Sequence, residues 1–319
     1  MKRTLNFFPL LAIVFMFSFT ACNSDEEEMT PTTETPSTTD CTNSTSTFTI
    51  NLDPGECTVD IENTLGISSQ YTETLSGSTR EIQINSVPNH QVGVFPNPGN
   101  PNTISSQSFG FSMPINPTVE SNSLTTQGYI SGVLFSGVTT EPYTAEFFRT
   151  STGGMNREWN ITTLTSAVNL GLDCNNAHVQ PTGKYHYHGT PSALIDELGV
   201  NGDEMVKVGY AADGFPFYYK YVLDEDGSSL IELESGYRLI EGSRPGDGDS
   251  APSGCYDGTY FQDYEFVEGI SLLDACNGRF GPTPDAPSGE YYYVITDNFP
   301  SVPLCFTGTP DQSFRLGPN

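Results

Sequence analysis

The sequence predicts an all-β fold, mainly antiparallel and sandwich-like or irregular, with one or two short helices. Three observations predict it. Short runs rich in β-branched and aromatic residues recur along the chain. Glycine and proline, 31 and 23 in number, fall between them as turn residues. No long stretch repeats its apolar residues at the helical period.

Residues 1–21 read as an export leader: Lys2 and Arg3, an apolar run from Phe7 to Phe19, then small residues. Phe19-Thr20-Ala21-Cys22 resembles a bacterial lipobox, with Cys22 the residue to be lipidated. Phe19 departs from the aliphatic residue usual there. The acids after Asn23 and Ser24, Asp25 to Glu28, look like the surface-export signal of Bacteroidota-type lipoproteins, and a solvated acidic tether reads the same way. Residues 22–47, acidic and then rich in Thr, Ser and Pro, carry too little apolar surface for a core and are expected to form a tether. The expected location is the outer membrane, surface-exposed or else on its periplasmic face, held by a lipid anchor.

Without the leader the chain keeps 10 basic against 39 acidic residues, a net charge of −29. That charge repels nucleic acid and anionic membrane surfaces, so no nucleic-acid partner is expected. Six cysteines remain beside Cys22: Cys41, Cys57, Cys174, Cys255, Cys276 and Cys305. An even number in an exported chain implies disulfides. The expected pairs are Cys41 with Cys57, Cys174 with Cys255, and Cys276 with Cys305. Paired cysteines offer no thiolate, which leaves histidine and carboxylate as metal ligands.

About 270 residues follow the tether, enough for one large β domain or two small ones. Residues 48–77 are expected as an N-terminal β segment and 309–319 as a tail. Strands are expected at Phe48 to Leu52, Arg80 to Val87, Gly128 to Phe135, Val206 to Ala211, Phe217 to Leu223, Tyr237 to Ile240 and Tyr291 to Thr296. Ser192 to Leu198 is the one clear short helix, with Thr190 as N-cap and Pro191 at the first position. Ala145 to Phe148 is a candidate second turn of helix.

The stretch that carries chemistry is Gly183-Lys184-Tyr185-His186-Tyr187-His188-Gly189. In a strand, side chains alternate faces, so His186 and His188 share one face roughly 6.6 Å apart and Tyr185 and Tyr187 share the other. The chain has four histidines, and His178, His186 and His188 fall within eleven residues. Two imidazoles on one face and a third from a nearby turn suit zinc, copper(II) or non-haem iron. The plainer alternative is strand histidines bonded to backbone or tyrosine hydroxyls.

Further motifs recur in order: Val87-Pro88-Asn89-His90, Gly99-Asn100-Pro101-Asn102, Gly137-Val138 with Thr144 to Phe147, and Leu172-Asp173 with Ala177 to Gln180. Asp213-Gly214-Phe215-Pro216, Leu273 to Arg279, and Phe299-Pro300 with Cys305 to Gly308 complete the set. Together with Tyr185 to His188 they resemble the YHYH-domain family, over roughly residues 78–308. The resemblance supplies a domain and no reaction. All four histidines lie in its motifs, which implies a site that gathers His90 with His178, His186 and His188. Asp173, Asp213 and Glu146 are the carboxylates expected nearby as ligands or hydrogen-bond acceptors for the rings, with a turn or cap role as the alternative for each.

Other features have plainer readings. Asp224 to Gly227 is expected to turn a hairpin between Tyr221-Val222 and Leu230-Ile231. Asp247-Gly248-Asp249 lacks the full spacing of a calcium loop, so Ca²⁺ is not expected there. Tyr291 to Tyr293 and Phe217 to Tyr221 are expected in the core; exposed, they would stack a glycan. Arg279 is expected to pair with Asp274. No nucleophile elbow, phosphate loop or zincin helix is present. The expected function is therefore a lipid-anchored domain with a His-centred site for Cu or Zn. The alternatives are a metal-dependent enzyme on the same site, or a glycan- or protein-binding module without metal.

Overall fold

The structure, a computed structural model, describes residue 41 and residues 57–164 and 168–317. The expected leader, Cys22, the tether and the strand at Phe48 to Leu52 lie outside the described residues. The fold is all-β, with two short α-helices, α1 (Ile61–Leu65) and α2 (Ser192–Glu197), among the described residues.

Eight strands make the central sheet: β1 (Gly132–Leu134), β2 (Thr139–Thr140), β3 (Ala177–Val179), β4 (Tyr185–Tyr187), β5 (Lys207–Ala211), β6 (Pro216–Tyr219), β7 (Gly278–Gly281) and β8 (Glu290–Ile295). They lie in the order β7-β8-β6-β5-β1-β2-β4-β3. Neighbours are antiparallel except β2 with β4 and β6 with β8, which run parallel. Tyr71–Ser76, Thr79–Ile84 and Phe109–Pro114 form a separate three-stranded antiparallel sheet.

The period of two places the core. On one face of the central sheet Tyr185, Tyr187, Ala177, Val179, Phe217 and Tyr293 join one buried cluster. The residues between them point the other way: Tyr218, Tyr292 and Val294 join a second cluster. Val133 and Tyr210 meet Ile82 and Phe111 of the three-stranded sheet in a third. The tyrosine runs are thus core, since Tyr291 to Tyr293 and Phe217 to Tyr219 are all buried.

Several expectations change at this level. The disulfides are Cys41–Cys255, Cys57–Cys174 and Cys276–Cys305; the third pair is as expected and the partners of the first two are exchanged. Cysteines close in sequence need not be close in space: Cys57 meets Cys174 across a separation of 117 residues. Ala145 to Phe148 is not helical, because Phe147–Arg149 pairs with Met155–Asn160 as a hairpin. The expected strand Phe217 to Leu223 divides at Lys220 into β6 and a strand at Tyr221–Leu223, which pairs with Leu230–Glu232 around the expected Asp224 to Gly227 turn. Pro191 rather than Thr190 is the N-cap of α2 and gives no side-chain bond; Asn175 Oδ1 accepts from the Ala193 N–H at 2.8 Å instead.

Candidate metal centre

The site begins with a hairpin. The Gly183 N–H donates to the Gln180 carbonyl at 2.8 Å and the Gln180 N–H to the Lys184 carbonyl at 2.9 Å, so Gln180 to Gly183 turns β3 into β4. Pro181 fits the second position of such a turn, and Gly183 adopts φ +88°, which a side chain rarely tolerates. A Cβ on Gly183 would also strike Ser105 Oγ. The hairpin register sets His186 directly against His178. The ladder continues past β4, where the His188 N–H donates to the Asn176 carbonyl at 2.8 Å.

Across the sheet the same face collects polar groups. In register, Tyr210 stands beside Val133, Val133 beside Thr139, Thr139 beside His186, and His186 beside His178. Residues two apart along these strands and their extensions follow, which adds Lys184 and His188 on either side of β4 and Glu141 just past β2. The expected division of imidazoles and phenols between two faces is the one observed.

The three rings form a nearly equilateral triangle, with centroids 4.8, 4.8 and 4.7 Å apart and planes inclined at 61°, 88° and 65°. One nitrogen from each ring lies within 4.8 Å of the others. His178 Nε2 and His188 Nε2 are 3.2 Å apart. Two nitrogens bound tetrahedrally at about 2.0–2.1 Å from one zinc ion would be separated by about 3.3 Å. His178 Nδ1 lies 3.0 Å from the Leu170 carbonyl, so Nδ1 carries the proton and Nε2 keeps a lone pair for the triangle. Nδ1 of His186 and of His188 are buried without a hydrogen bond of good geometry, although the backbone at Lys184 and at Pro142 acts on the two rings in favour of their charged forms.

Burial is the main cause that keeps these rings neutral, and it lowers the pKa of all three, those of His186 and His188 furthest. Mutual repulsion adds to it at His186 and His188, and the Lys184 charge adds to it at His186. The Glu141 carboxylate acts in the opposite sense at His178 and His188. Glu141 is itself buried, ion-paired to Lys184 and bonded at 3.3 Å by both Gln180 Nε2 and Thr139 Oγ1. Neutral imidazoles with lone pairs converging in a buried place are what a transition-metal ion requires.

The other expected residues are not gathered there. His90 lies on the tyrosine face, its Nε2 accepting from the Tyr187 hydroxyl at 2.5 Å and its Nδ1 bonded to the Gln91 carbonyl at 2.8 Å. Burial lowers its pKa to about 4, with the Gln91 carbonyl opposing. Asp173 is also on that face: one oxygen accepts from the Tyr185 hydroxyl at 2.8 Å and the Gly93 N–H at 3.0 Å, the other from the Asn175 N–H. Burial raises its pKa against those bonds. Asp213 accepts from the Tyr293 hydroxyl at 2.6 Å and the Gly308 N–H at 2.9 Å, and burial raises its pKa to about 6. Glu146 is bonded through its backbone to Thr144, Asn160 and Ile161. Asp173 also neighbours Cys57 and Cys174, but those sulfurs are joined to each other and offer no thiolate.

A cleft of about 970 Å³ opens beside His90, lined by the Cys57–Cys174 pair, Asp60, Glu62, Asp196 and Glu197. It belongs to the opposite side of the sheet from the triad. Asp247 spends both carboxylate oxygens on Asp249, Ser250 and Ala251, as a turn residue does. Asp274 is held by the Cys276 and Gly278 N–H groups and by the Tyr291 hydroxyl rather than by Arg279. Sequence reasoning missed Glu141 and Lys184. Lys184 was within reach, because it shares the parity of His186 and His188; Glu141 arrives through a parallel pairing that leaves no local pattern.

The protein-family model described as YHYH protein matches residues 110–308, more than half of the chain. The matched span contains His178, His186 and His188 and leaves out His90. No curated protein and no solved structure matches the chain.

Proposed function

This chain belongs to the YHYH protein family, and from that premise we propose that it binds a transition metal, zinc or copper(II), on His178, His186 and His188. The observation that carries the reading is the triangle of neutral imidazoles with centroid edges of 4.7–4.8 Å. Borderline ions accept imidazole nitrogen, and the paired cysteines withhold the thiolates that would favour softer chemistry. Bound there, the ion would act as a Lewis acid with one coordination position left over by three ligands. Asp213 is held by the Tyr293 hydroxyl and the Gly308 N–H, and neither it nor Glu146 is grouped with the triad, so capture or storage is favoured over turnover.

The same proposal sets the protein outside the cytoplasm, tethered through Cys22 to the outer membrane. The leader, the lipobox-like stretch and six paired cysteines support that setting. Labelling with a radioactive fatty acid, lost on Cys22→Ser, tests it.

The test of the metal site is elemental analysis of protein purified without chelator, beside a His186→Ala/His188→Ala variant. Near-stoichiometric copper or zinc in the parent, lost from a variant that keeps its circular dichroism, is expected. A parent that takes up no metal even on reconstitution would overturn the reading.

A further inference from the structure

Three neutral imidazoles bring no charge to a divalent cation, and His186 and His188 are each only 2 % exposed. An ion bound there would carry two positive charges into a place poorly reached by water, which is costly unless a counter-charge is at hand. The face that holds the triad carries one. The Glu141 N–H donates to the Tyr187 carbonyl at 2.8 Å, which continues the parallel pairing of β2 with β4 and brings Glu141 level with His188. Thr139 and Gln180, which hydrogen-bond its two oxygens, are the register partner of His186 and the residue two beyond His178 on the histidine face.

This carboxylate already has a cation beside it. Lys184 lies two residues before His186 on the same face, its side chain 4 % exposed against 6 % for Glu141, and the two form a buried ion pair. The Phe109 ring lies 5.4 Å from Lys184 Nζ and covers it. A lysine that reached the surface would gain hydration; this one is kept beside the carboxylate and the rings. The site is therefore neutral as it stands, with one positive and one negative group next to three neutral ligands.

We propose that Glu141 is the charge-balancing carboxylate of the metal centre and that Lys184 is the resident cation with which an incoming metal ion competes for it. The inference rests on the triad being a metal site. It gives the two residues opposite signs: Glu141 attracts the ion and Lys184 opposes it. A pair that merely braces the sheet would give both the same sign, since removing either partner would leave the other buried and alone.

The experiment measures Zn²⁺ affinity by competition with a chromophoric chelator, for the parent, Glu141→Gln, Lys184→Met and the double variant. Lys184→Met is expected to tighten zinc binding and Glu141→Gln to weaken it, each by roughly 10–100-fold, the range typical of groups just outside a metal's ligands. The double variant should fall between them. Should Glu141→Gln fail to fold with its lysine unpaired, the comparison of Lys184→Met with the double variant isolates the carboxylate in a background without that lysine, and the same loss is expected. Equal affinities in all four proteins, or weakening by both single changes, would overturn the role given to the pair while leaving the metal site intact. A parent that binds no zinc would instead overturn the metal reading on which it rests.

Discussion

Nε2 of His178 and Nε2 of His188 stand 3.2 Å apart on the same face of the sheet. His178 already donates its Nδ1 proton to the Leu170 carbonyl, so its Nε2 is an acceptor. His188 can answer in two ways: it can donate a proton to that lone pair, or both nitrogens can turn to one ion. Only the second choice frees the buried His188 Nδ1 to carry the proton.

That choice would make metal binding a stabilising event. Zinc at a thousandfold excess over its dissociation constant contributes about 4 kcal/mol to the folded state. For a domain of this size that would correspond to a rise in Tm of roughly 8 °C. Scanning fluorimetry with and without zinc checks it. His178→Ala, at the half-buried corner of the triangle, should abolish the rise; an undiminished rise in that variant would exclude His178 as a ligand.

Two buried groups elsewhere titrate with opposite consequences. His90, with a pKa lowered to about 4, stays neutral in the fold where an unfolded histidine would gain a proton. Its stabilisation is present above pH 6.5 and is lost as pH falls through about 4, a change of roughly 3 kcal/mol. Asp213, with a pKa raised to about 6, holds its proton in the fold longer than in the unfolded chain. Its contribution is present below about pH 3.9 and is lost as pH rises through about 6, again by roughly 3 kcal/mol. Between pH 4 and 6 the two slopes oppose. Denaturant unfolding should therefore show stability rising with pH more steeply in Asp213→Asn than in the parent. If the two slopes are equal, Asp213 does not titrate in this window.

How far the site was legible in the sequence follows from the range of each interaction. The separation of His186 and His188 from Tyr185 and Tyr187 is a property of one strand and needs no partner, and it could be read directly. The pairing of His178 with His186 required only a hairpin, which Pro181 and Gly183 announce. The position of His90 was not legible, because a turn residue has no parity and its ring could have met either face. Glu141 was hidden for the same kind of reason: β2 meets β4 in parallel, across a connection that includes the hairpin of Phe147–Arg149 with Met155–Asn160 and then β3. The helix expected at Ala145 to Phe148 failed because Asn160 Nδ2 and the Ile161 N–H bond the Glu146 carbonyl and hold the backbone extended.

The cysteine pairing has a direct chemical check. Digestion without reduction, followed by mass spectrometry, should release one peptide pair joined through Cys57 and Cys174 and another through Cys41 and Cys255. A Cys41–Cys57 crosslink would contradict the fold. Replacing Cys57 and Cys174 by serine, which opens a loop spanning 117 residues, should cost roughly 5 kcal/mol on the chain-entropy account. Replacing Cys276 and Cys305, separated by 29, should cost about 1 kcal/mol less.

Asn175 joins three parts of the structure: the Gln91 turn, 84 residues away in sequence, β4 and the start of α2. Its amide nitrogen donates to the Gln91 carbonyl at 3.0 Å and the Tyr185 hydroxyl at 3.1 Å, and its oxygen accepts from the Ala193 N–H at 2.8 Å in the first turn of α2. The side chain is fully buried, so none of these bonds can be replaced by surface water. Asn175→Ala removes three of them and leaves the Ala193 donor without its cap, a loss of about 2–4 kcal/mol. Asn175→Asp keeps an acceptor for Ala193 but turns an oxygen towards the Gln91 carbonyl and places a second carboxylate beside Asp173, so it should cost at least as much. Zinc affinity should survive in folded Asn175→Ala, because Asn175 works on the tyrosine face and the triad on the other. Denaturant unfolding and the chelator competition read the two effects separately, and a loss of zinc binding at unchanged stability would show that the faces are coupled.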